Sequence, residues 1–300
     1  MVSLLVGVTA YVSSGILSLV WPRKKFWFSL AGWLGALVGL VRAIVLYRSV
    51  GPMVRTLGDW GFLGIEITLD RTTLLFVTLV VTLNLATLLY LKGSKKSTFY
   101  CLYNFLFATS FSIAFSHDLF NIYVTIELMS LVSILLIGYD RKIYQLYAGV
   151  KYLLLSALGM SLYLIGLGLV YRIGGELGIS KLGQVIEGNS GFGLSIGLGL
   201  MVTGLMVKGG ILLFSMWLPD AHSYSGTVVS VLPSGMAIKT GLIGIIRIAE
   251  LVNLNYLLLV LGALTGLGGV FFAMLENRPK RIMAQHTISQ VGYILLGIGT

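Results

Sequence analysis

Long apolar stretches dominate this 300-residue chain and restrict what it can fold into. A helix needs roughly 20 apolar residues to cross a bilayer, whereas a membrane barrel is built from strands of about 10 residues. Charged residues make up 11% of the chain, against about 25% in soluble domains. The sequence therefore predicts an all-α, multi-pass membrane protein with about ten transmembrane helices. They fall near residues 3–21, 26–47, 72–91, 99–116, 119–138, 149–171, 193–219, 228–250, 254–275 and 284–300.

The basic residues that give the net charge of +10 are concentrated in the loops on one predicted side of the membrane. One set of alternate loops includes eleven of them: Arg23, Lys24, Lys25, Lys92, Lys95, Lys96, Arg141, Lys142, Arg278, Lys280 and Arg281. The opposite set includes Arg48, Arg55, Arg172 and Lys181. Because cytoplasmic loops carry the excess of Lys and Arg, the pattern predicts a cell-membrane protein with its N-terminus outside. The basicity indicates orientation in the lipid bilayer and not binding to nucleic acid.

Three charged residues lie deep inside apolar stretches, well away from the ends of those stretches, namely Glu127, Lys208 and Lys239. A lone charge at the bilayer centre costs at least about 2.5–3.5 kcal/mol on insertion scales, so such residues usually serve transport. The pattern indicates a path for ions or protons. Structural salt bridges between helices are the alternative that the sequence leaves open.

Lys208 is followed at once by Gly209 and Gly210, and Pro219 comes shortly after. Paired glycines and a proline weaken a helix, so the sequence predicts a broken helix at this point. Backbone exposed at membrane depth persists only inside protein or along a cavity. Burial disfavours the charged form of a lysine and a nearby carboxylate restores it. Glu127 is the candidate carboxylate; a kinked helix with a structural ion pair is the other interpretation.

Lys239 lies near the middle of the next span. It is predicted either to relay a proton from Lys208 or to reach a neighbouring backbone carbonyl. Lys151, at the cytoplasmic start of the sixth span, is predicted to act at the mouth of the path or as an interfacial anchor. Arg247 and Glu250 are expected to extend to the interface near the end of their span.

Cofactor motifs are missing from the sequence. Cys101 is the single cysteine, and three histidines, His117, His222 and His286, are scattered along the chain. This pattern excludes an intramolecular disulfide and a thiolate-ligated cluster. With no phosphate-binding or dinucleotide motif present either, we expect neither a cofactor nor a metal, and no redox site in this chain.

Five segments of the chain resemble a known family when they are taken together and in order. They are NIYVTIELMSL, GVKYLLLSALGMSLYLIG, LMVKGGILLFSMWLPDAHS, SGMAIKTGLIGIIRI and RPKRIMAQHTISQVGYILLG. They are similar to the antiporter-like subunits of respiratory complex I, of Mrp cation/proton antiporters and of energy-converting membrane hydrogenases. The resemblance covers about residues 70–300.

The resemblance implies fourteen helices with two inverted five-helix repeats, each containing a broken helix. It also implies a glutamate–lysine pair on the fifth and seventh helices and a lysine in the eighth. Glu127, Lys208 and Lys239 fall on those positions. His222 matches the histidine of the family's LPDAH segment and His286 that of HTISQ, so with Lys151 they are further relay candidates.

The chain departs from the family pattern at Val228, where members usually have proline, and at Gln285, where they often have tyrosine. The family's second broken helix is absent, so the second repeat is predicted to be truncated. We expect three segments, 1–98, 99–253 with the buried charges, and 254–300. Three explanations stay open: another chain supplies the remaining helices, the subunit is a half-channel, or the gene product is truncated. The end of the chain near Ile298 is expected to pack against another subunit.

The sequence thus predicts a proton- or sodium-translocating subunit of a multi-subunit membrane complex, with other membrane subunits as partners. Lysines favour protons, because a sodium site would need carboxylate and carbonyl oxygens. Two alternatives remain, an independent transporter of a small solute and a structural membrane subunit whose pumping has lapsed.

Overall fold

The computed structural model describes residues 2–58, 64–92, 94–186 and 191–300. These residues are almost all helical, which confirms the predicted fold class. The first helices are α1 (Val2–Val20), α2 (Lys25–Val50), α3 (Arg71–Leu91), α4 (Ser97–Phe115), α5 (Leu119–Ile137), α6 (Ile143–Gly174) and α7 (Ile179–Ile186). They are followed by α8 (Phe192–Lys208), α9 (Leu218–Tyr224), α10 (Thr227–Leu232), α11 (Ile238–Ala249), α12 (Asn255–Met274) and α13 (Pro279–Gly299).

Seven helical stretches among the described residues are long and apolar enough to cross a membrane. An eighth span results if α8 and the segment Leu212–Tyr224, which meet at a bend of 40°, are taken as one. Helix α1 contributes a shorter apolar stretch, Leu5–Val20, which is not counted among these spans. The chain is therefore a multi-pass membrane protein, and the predicted number of ten spans is approximate.

A short β-hairpin lies between α2 and α3. Strand β1 (Met53–Leu57) pairs antiparallel with β2 (Ile65–Leu69), with Met53 opposite Leu69. The sequence analysis placed spans at 26–47 and 72–91 and predicted no strand between them. Residues 65–69 read IEITL, in which three of the five residues are β-branched, a composition that favours a strand. Such a short run is a weak signal beside the much longer apolar helices.

The chain forms two compact units, residues 1–136 and 137–300. In the first, α1 packs against α2 and α4. The fully buried ring of Tyr11 lies against the Phe107 and Phe111 rings, with centroids 6.0 and 6.2 Å apart. The segment boundaries predicted after residues 98 and 253 concern the five-helix repeats and not the compact units. These boundaries stay predictions.

In the second unit, α6 packs along α8 and α12 along α13. The α6–α8 contact depends on glycines: a Cβ added at Gly204 would overlap the carbonyl oxygen of Gly159, and one at Gly159 would overlap the Val207 side chain. With no Cβ on either residue, the two backbones approach closely. This contact positions the C-terminal end of α8 against one face of α6.

Candidate functional site

Helix α8 ends at Lys208, as the glycine pair predicted. Gly210 has a left-handed backbone with φ of +61°. The N–H of Ile211 donates to the Met206 carbonyl across 3.2 Å, and that of Gly210 to the Val207 carbonyl across 3.4 Å. This is the Schellman arrangement, which closes a helix on a left-handed glycine. The broken helix is therefore confirmed, and Lys208 occupies its last helical position.

The chain beyond the break continues as a 3₁₀ helix, Leu212–Trp217, directly into α9. The indole N–H of Trp217 donates to the Val207 carbonyl oxygen across 3.1 Å. The Leu212 N–H lies 3.4 Å from the Thr265 hydroxyl of α12. These bonds satisfy polar groups that the break exposes, as burial at membrane depth requires. The helix break is thus stabilised by defined hydrogen-bond partners.

Lys208 is 2% exposed. Its ammonium donates a hydrogen bond to the Ser156 hydroxyl of α6 and lies 5.8 Å from the centroid of the Tyr152 ring. Lysine at the C-terminal end of a helix also faces the negative end of the helix dipole. A hydroxyl, an aromatic face and a helix end therefore all favour a positive charge on Lys208.

Glu127 lies on α5 and is partly buried, with Tyr123 one turn before it. It belongs to the unit 1–136, and Lys208 belongs to the unit 137–300. The Glu127–Lys208 pair stays a prediction.

Lys239 lies in a span that contains a π-helical turn, Pro233–Ala237, between α10 and α11. Its ammonium donates to the Ser234 carbonyl oxygen across 2.6 Å. A π-turn displaces carbonyl groups from the regular ladder, and such turns are frequent at functional sites. The bond agrees with the second sequence interpretation, a lysine that reaches a backbone carbonyl, and the relay role stays a prediction.

Asp220, which begins the DAH part of the LPDAH segment, joins three helices. Its Oδ2 accepts from Lys151 of α6 and its Oδ1 from Arg281 of α13, each across 2.6 Å. Arg281 also contacts Glu276 at 3.3 Å. The Asp220 side chain is 8% exposed, and the two cations are 30% and 29% exposed. We call these four residues the Asp220 network.

The two candidate histidines lie in different surroundings. His222 lies two residues after Asp220, and its Nδ1 is 2.8 Å from the Ser230 hydroxyl of α10. His286 lies on an exposed face of α13. Lys151 forms an ion pair with Asp220, a partner that the sequence analysis did not predict for it. The relay roles of these three residues stay predictions.

The position of Arg247 differs from the one expected from the sequence. It was expected to extend to the interface, yet its side chain is 1% exposed and pairs with Glu250 at 2.8 Å. Helix α11 packs against α8, so this face is occupied by protein. Glu250, 41% exposed, is the partner that reaches outward.

A second group of buried titratable residues lies in the first unit, where β2 meets the turn between α4 and α5. His117 Nδ1 is 3.4 Å from Glu66 Oε2, and the His117 N–H donates to the Glu66 carbonyl. Asp118 caps α5 by accepting from the Asn121 N–H at 2.8 Å. Burial is the main cause that raises the pKa of Asp118, and the Glu66 charge adds to it. The sequence analysis did not single out Glu66 or Asp118.

Metal ligation finds no support in the part of the chain that the structure describes, where no group of three or more His, Cys, Asp or Glu side chains could hold an ion. The sequence analysis also missed Ser156 and Asp220. The only available signal for Asp220 was its place in the LPDAH segment, and Ser156 had none, because its partner is 52 residues away.

Comparison with known proteins gives consistent matches. The family described as NADH:quinone oxidoreductase/Mrp antiporter, transmembrane, matches residues 116–300. An Na⁺/H⁺ antiporter subunit of Alkalihalophilus pseudofirmus is 29% identical over 285 residues, covering 91% of this chain and 57% of that protein. The chain therefore spans little more than half the length of that relative.

Two solved structures share the fold. A chain of the archaeal membrane-bound sulfane sulfur reductase aligns with a TM-score of 0.91 and 22% identity, over 99% of this chain and 64% of that one. A chain of the Mrp complex from Dietzia sp. DQ12-45-1b aligns with a TM-score of 0.86 and 23% identity, over 99% and 58%. At these identities the likeness shows the fold alone.

Proposed function

Because the chain belongs to the NADH:quinone oxidoreductase/Mrp antiporter transmembrane family, we propose that it is an ion-translocating, antiporter-like subunit of a multi-subunit membrane complex. The translocated ion is the proton, carried by Glu127, Lys208 and Lys239. A redox reaction or an ion gradient elsewhere in the complex drives it.

The observation that carries the proposal is the broken helix α8, which ends on the buried Lys208. A buried ammonium is retained in a span at a considerable free-energy cost, and such residues mark ion and proton pathways. Broken helices place backbone dipoles at transport sites in many transporters. A lysine can also lose its proton when its surroundings change, unlike an arginine.

In the proposed mechanism, a charged Glu127 holds the proton on Lys208. Protonation of Glu127 removes that attraction, so Lys208 releases its proton towards Lys239. Lys239, whose ammonium starts on the Ser234 carbonyl, first passes its own proton onward through water and then, as a neutral amine, accepts the proton from Lys208. Lys151, His222 and His286 are proposed as further relay residues, and the first two lie at the Asp220 network or beside it.

The proposed partners are other membrane subunits, as in the complexes to which the aligned chains belong. The proposed location is the cell membrane, with the N-terminus outside, since the loops that this places in the cytoplasm carry most of the Lys and Arg residues.

The test is Glu127→Gln in the assembled complex, in membrane vesicles with a pH-sensitive dye. Proton translocation should fall by about tenfold or more, with the subunit still present in the purified complex. Glu176→Gln is the matched control, because the Glu176 side chain is exposed and its contact with Lys181 is long, at 3.8 Å. Normal translocation by assembled Glu127→Gln would reject the pair and favour a structural subunit.

A further inference from the structure

One face of α6 surrounds the ammonium of Lys208. Tyr152 and Ser156 are four residues apart, so they lie one turn apart on the same side of the helix. Both are nearly fully buried, at 2% and 3% exposure. The contact between Gly159 and Gly204 fixes this face against the end of α8.

The Tyr152 ring is itself held in place from the other side of the break. Its centroid is 4.3 Å from that of Trp217, with 31° between the ring planes. Trp217 in turn donates to the Val207 carbonyl, one residue before Lys208. The position of the ring relative to the ammonium is thus linked to the geometry of the helix break.

The two side chains act differently on the two protonation states. The Tyr152 ring attracts only the ammonium, because its negative face interacts with a cation. The Ser156 hydroxyl accepts a hydrogen bond from the ammonium and can donate one to the neutral amine. Tyr152 and Ser156 therefore stabilise the charged form of Lys208. Ser156 can still hydrogen-bond to the neutral amine after the proton has left.

We propose that Tyr152 and Ser156 are positioning residues that hold the Lys208 ammonium at the helix break and set how readily it releases its proton. This inference rests on the proposed function and names residues that nothing in the family match assigns. Tyr152 acts on the charged state, and Ser156 keeps the amine in place through the transfer.

The first variant is Tyr152→Leu, assayed for proton translocation against pH in vesicles that contain the whole complex. Losing the ring removes support for the ammonium, so the midpoint of the profile should move to lower pH by about 0.4–1.5 units. Tyr152→Phe keeps the ring and should retain the wild-type midpoint. Tyr163→Leu, a buried tyrosine on the same helix, controls for loss of packing and should leave the midpoint unchanged.

The second variant is Ser156→Ala, which removes one oxygen and decides the question if Tyr152→Leu fails to assemble. The maximal rate should fall severalfold, and Ser156→Thr, which keeps the hydroxyl, should restore it. Wild-type rates and midpoints in both Ser156→Ala and Tyr152→Leu would overturn this inference while leaving the proposed function intact. Normal translocation after Lys208→Ala would instead reject the proposed function itself.

Discussion

Lys151 donates a hydrogen bond to Asp220 across 2.6 Å and thereby ties α6 to the segment that follows the helix break. The second oxygen of Asp220 is taken by Arg281. A single carboxylate thus connects three helices that are far apart in sequence. The same helix α6 carries Ser156 and Tyr152, so the network and the Lys208 site share one helix.

Asp220→Asn should destabilise the second unit. It leaves two cations facing a neutral amide, and because both are about 30% exposed, the loss should be about 1–3 kcal/mol, between surface and buried pairs. Thermal unfolding of the purified complex measures it, with exposed Glu176→Gln as control. An unchanged unfolding midpoint would show that the Asp220 network does not stabilise the protein.

The Lys239→Arg variant should distinguish two roles of Lys239, a proton relay and a purely structural positive charge. Arginine keeps the positive charge and can still bond the Ser234 carbonyl, but it does not release its proton at accessible pH. We expect assembly to be preserved and proton translocation, followed with a pH-sensitive dye, to fall by about tenfold or more. Lys181→Arg, on an exposed lysine, is the control. Retained translocation in Lys239→Arg would leave Lys239 with a structural role only.

Gly210→Ala should weaken the helix break. Gly210 has a φ of +61°, and an L-residue in the left-handed region is disfavoured by roughly 1–2 kcal/mol. Gly199→Ala is the matched control: a Cβ there meets nothing within 4 Å, and alanine is favoured inside a helix. Unfolding midpoints should fall for the first variant and stay or rise for the second. Equal midpoints would mean that the break tolerates another conformation.

Asp118 should make the stability of the first unit depend on pH. Because burial raises its pKa in the folded protein, the folded state binds the proton more tightly than the unfolded state. Stability from this group is therefore complete below its unfolded pKa, about 3.9, and falls as pH rises through the raised folded value.

Asp118→Asn isolates this effect, because asparagine is as good a helix cap as aspartate. Unfolding midpoints measured across the acid range should lose the part of their pH dependence that Asp118 contributes, while Asp140→Asn, at an exposed position, should keep it. An identical pH dependence in Asp118→Asn and wild type would show that other groups, such as Glu66 or His117, dominate.

The sequence alone determined the class of fold and the place of the helix break. Apolar length and the scarcity of charge require membrane helices whatever their arrangement, and helices such as α2, α5 and α12 begin and end within three residues of the predicted bounds. Gly209 and Gly210 determine the break locally, because glycine adopts the φ of +61° that the Schellman turn needs without the steric cost of a Cβ. The burial of Lys208 also followed from its apolar neighbours.

The tertiary structure decided the partners of these charges. Ser156 and Lys208 are 52 residues apart, and Asp220 is 69 residues from Lys151 and 61 from Arg281. Their meeting depends on how α6, α8 and α13 are placed around one another, down to the close approach at Gly159 and Gly204. Helix periodicity gives the face on which a residue lies, but not which helix covers that face or at what height. The buried state of Arg247 and the small hairpin were decided in the same way, by packing that a single sequence does not display.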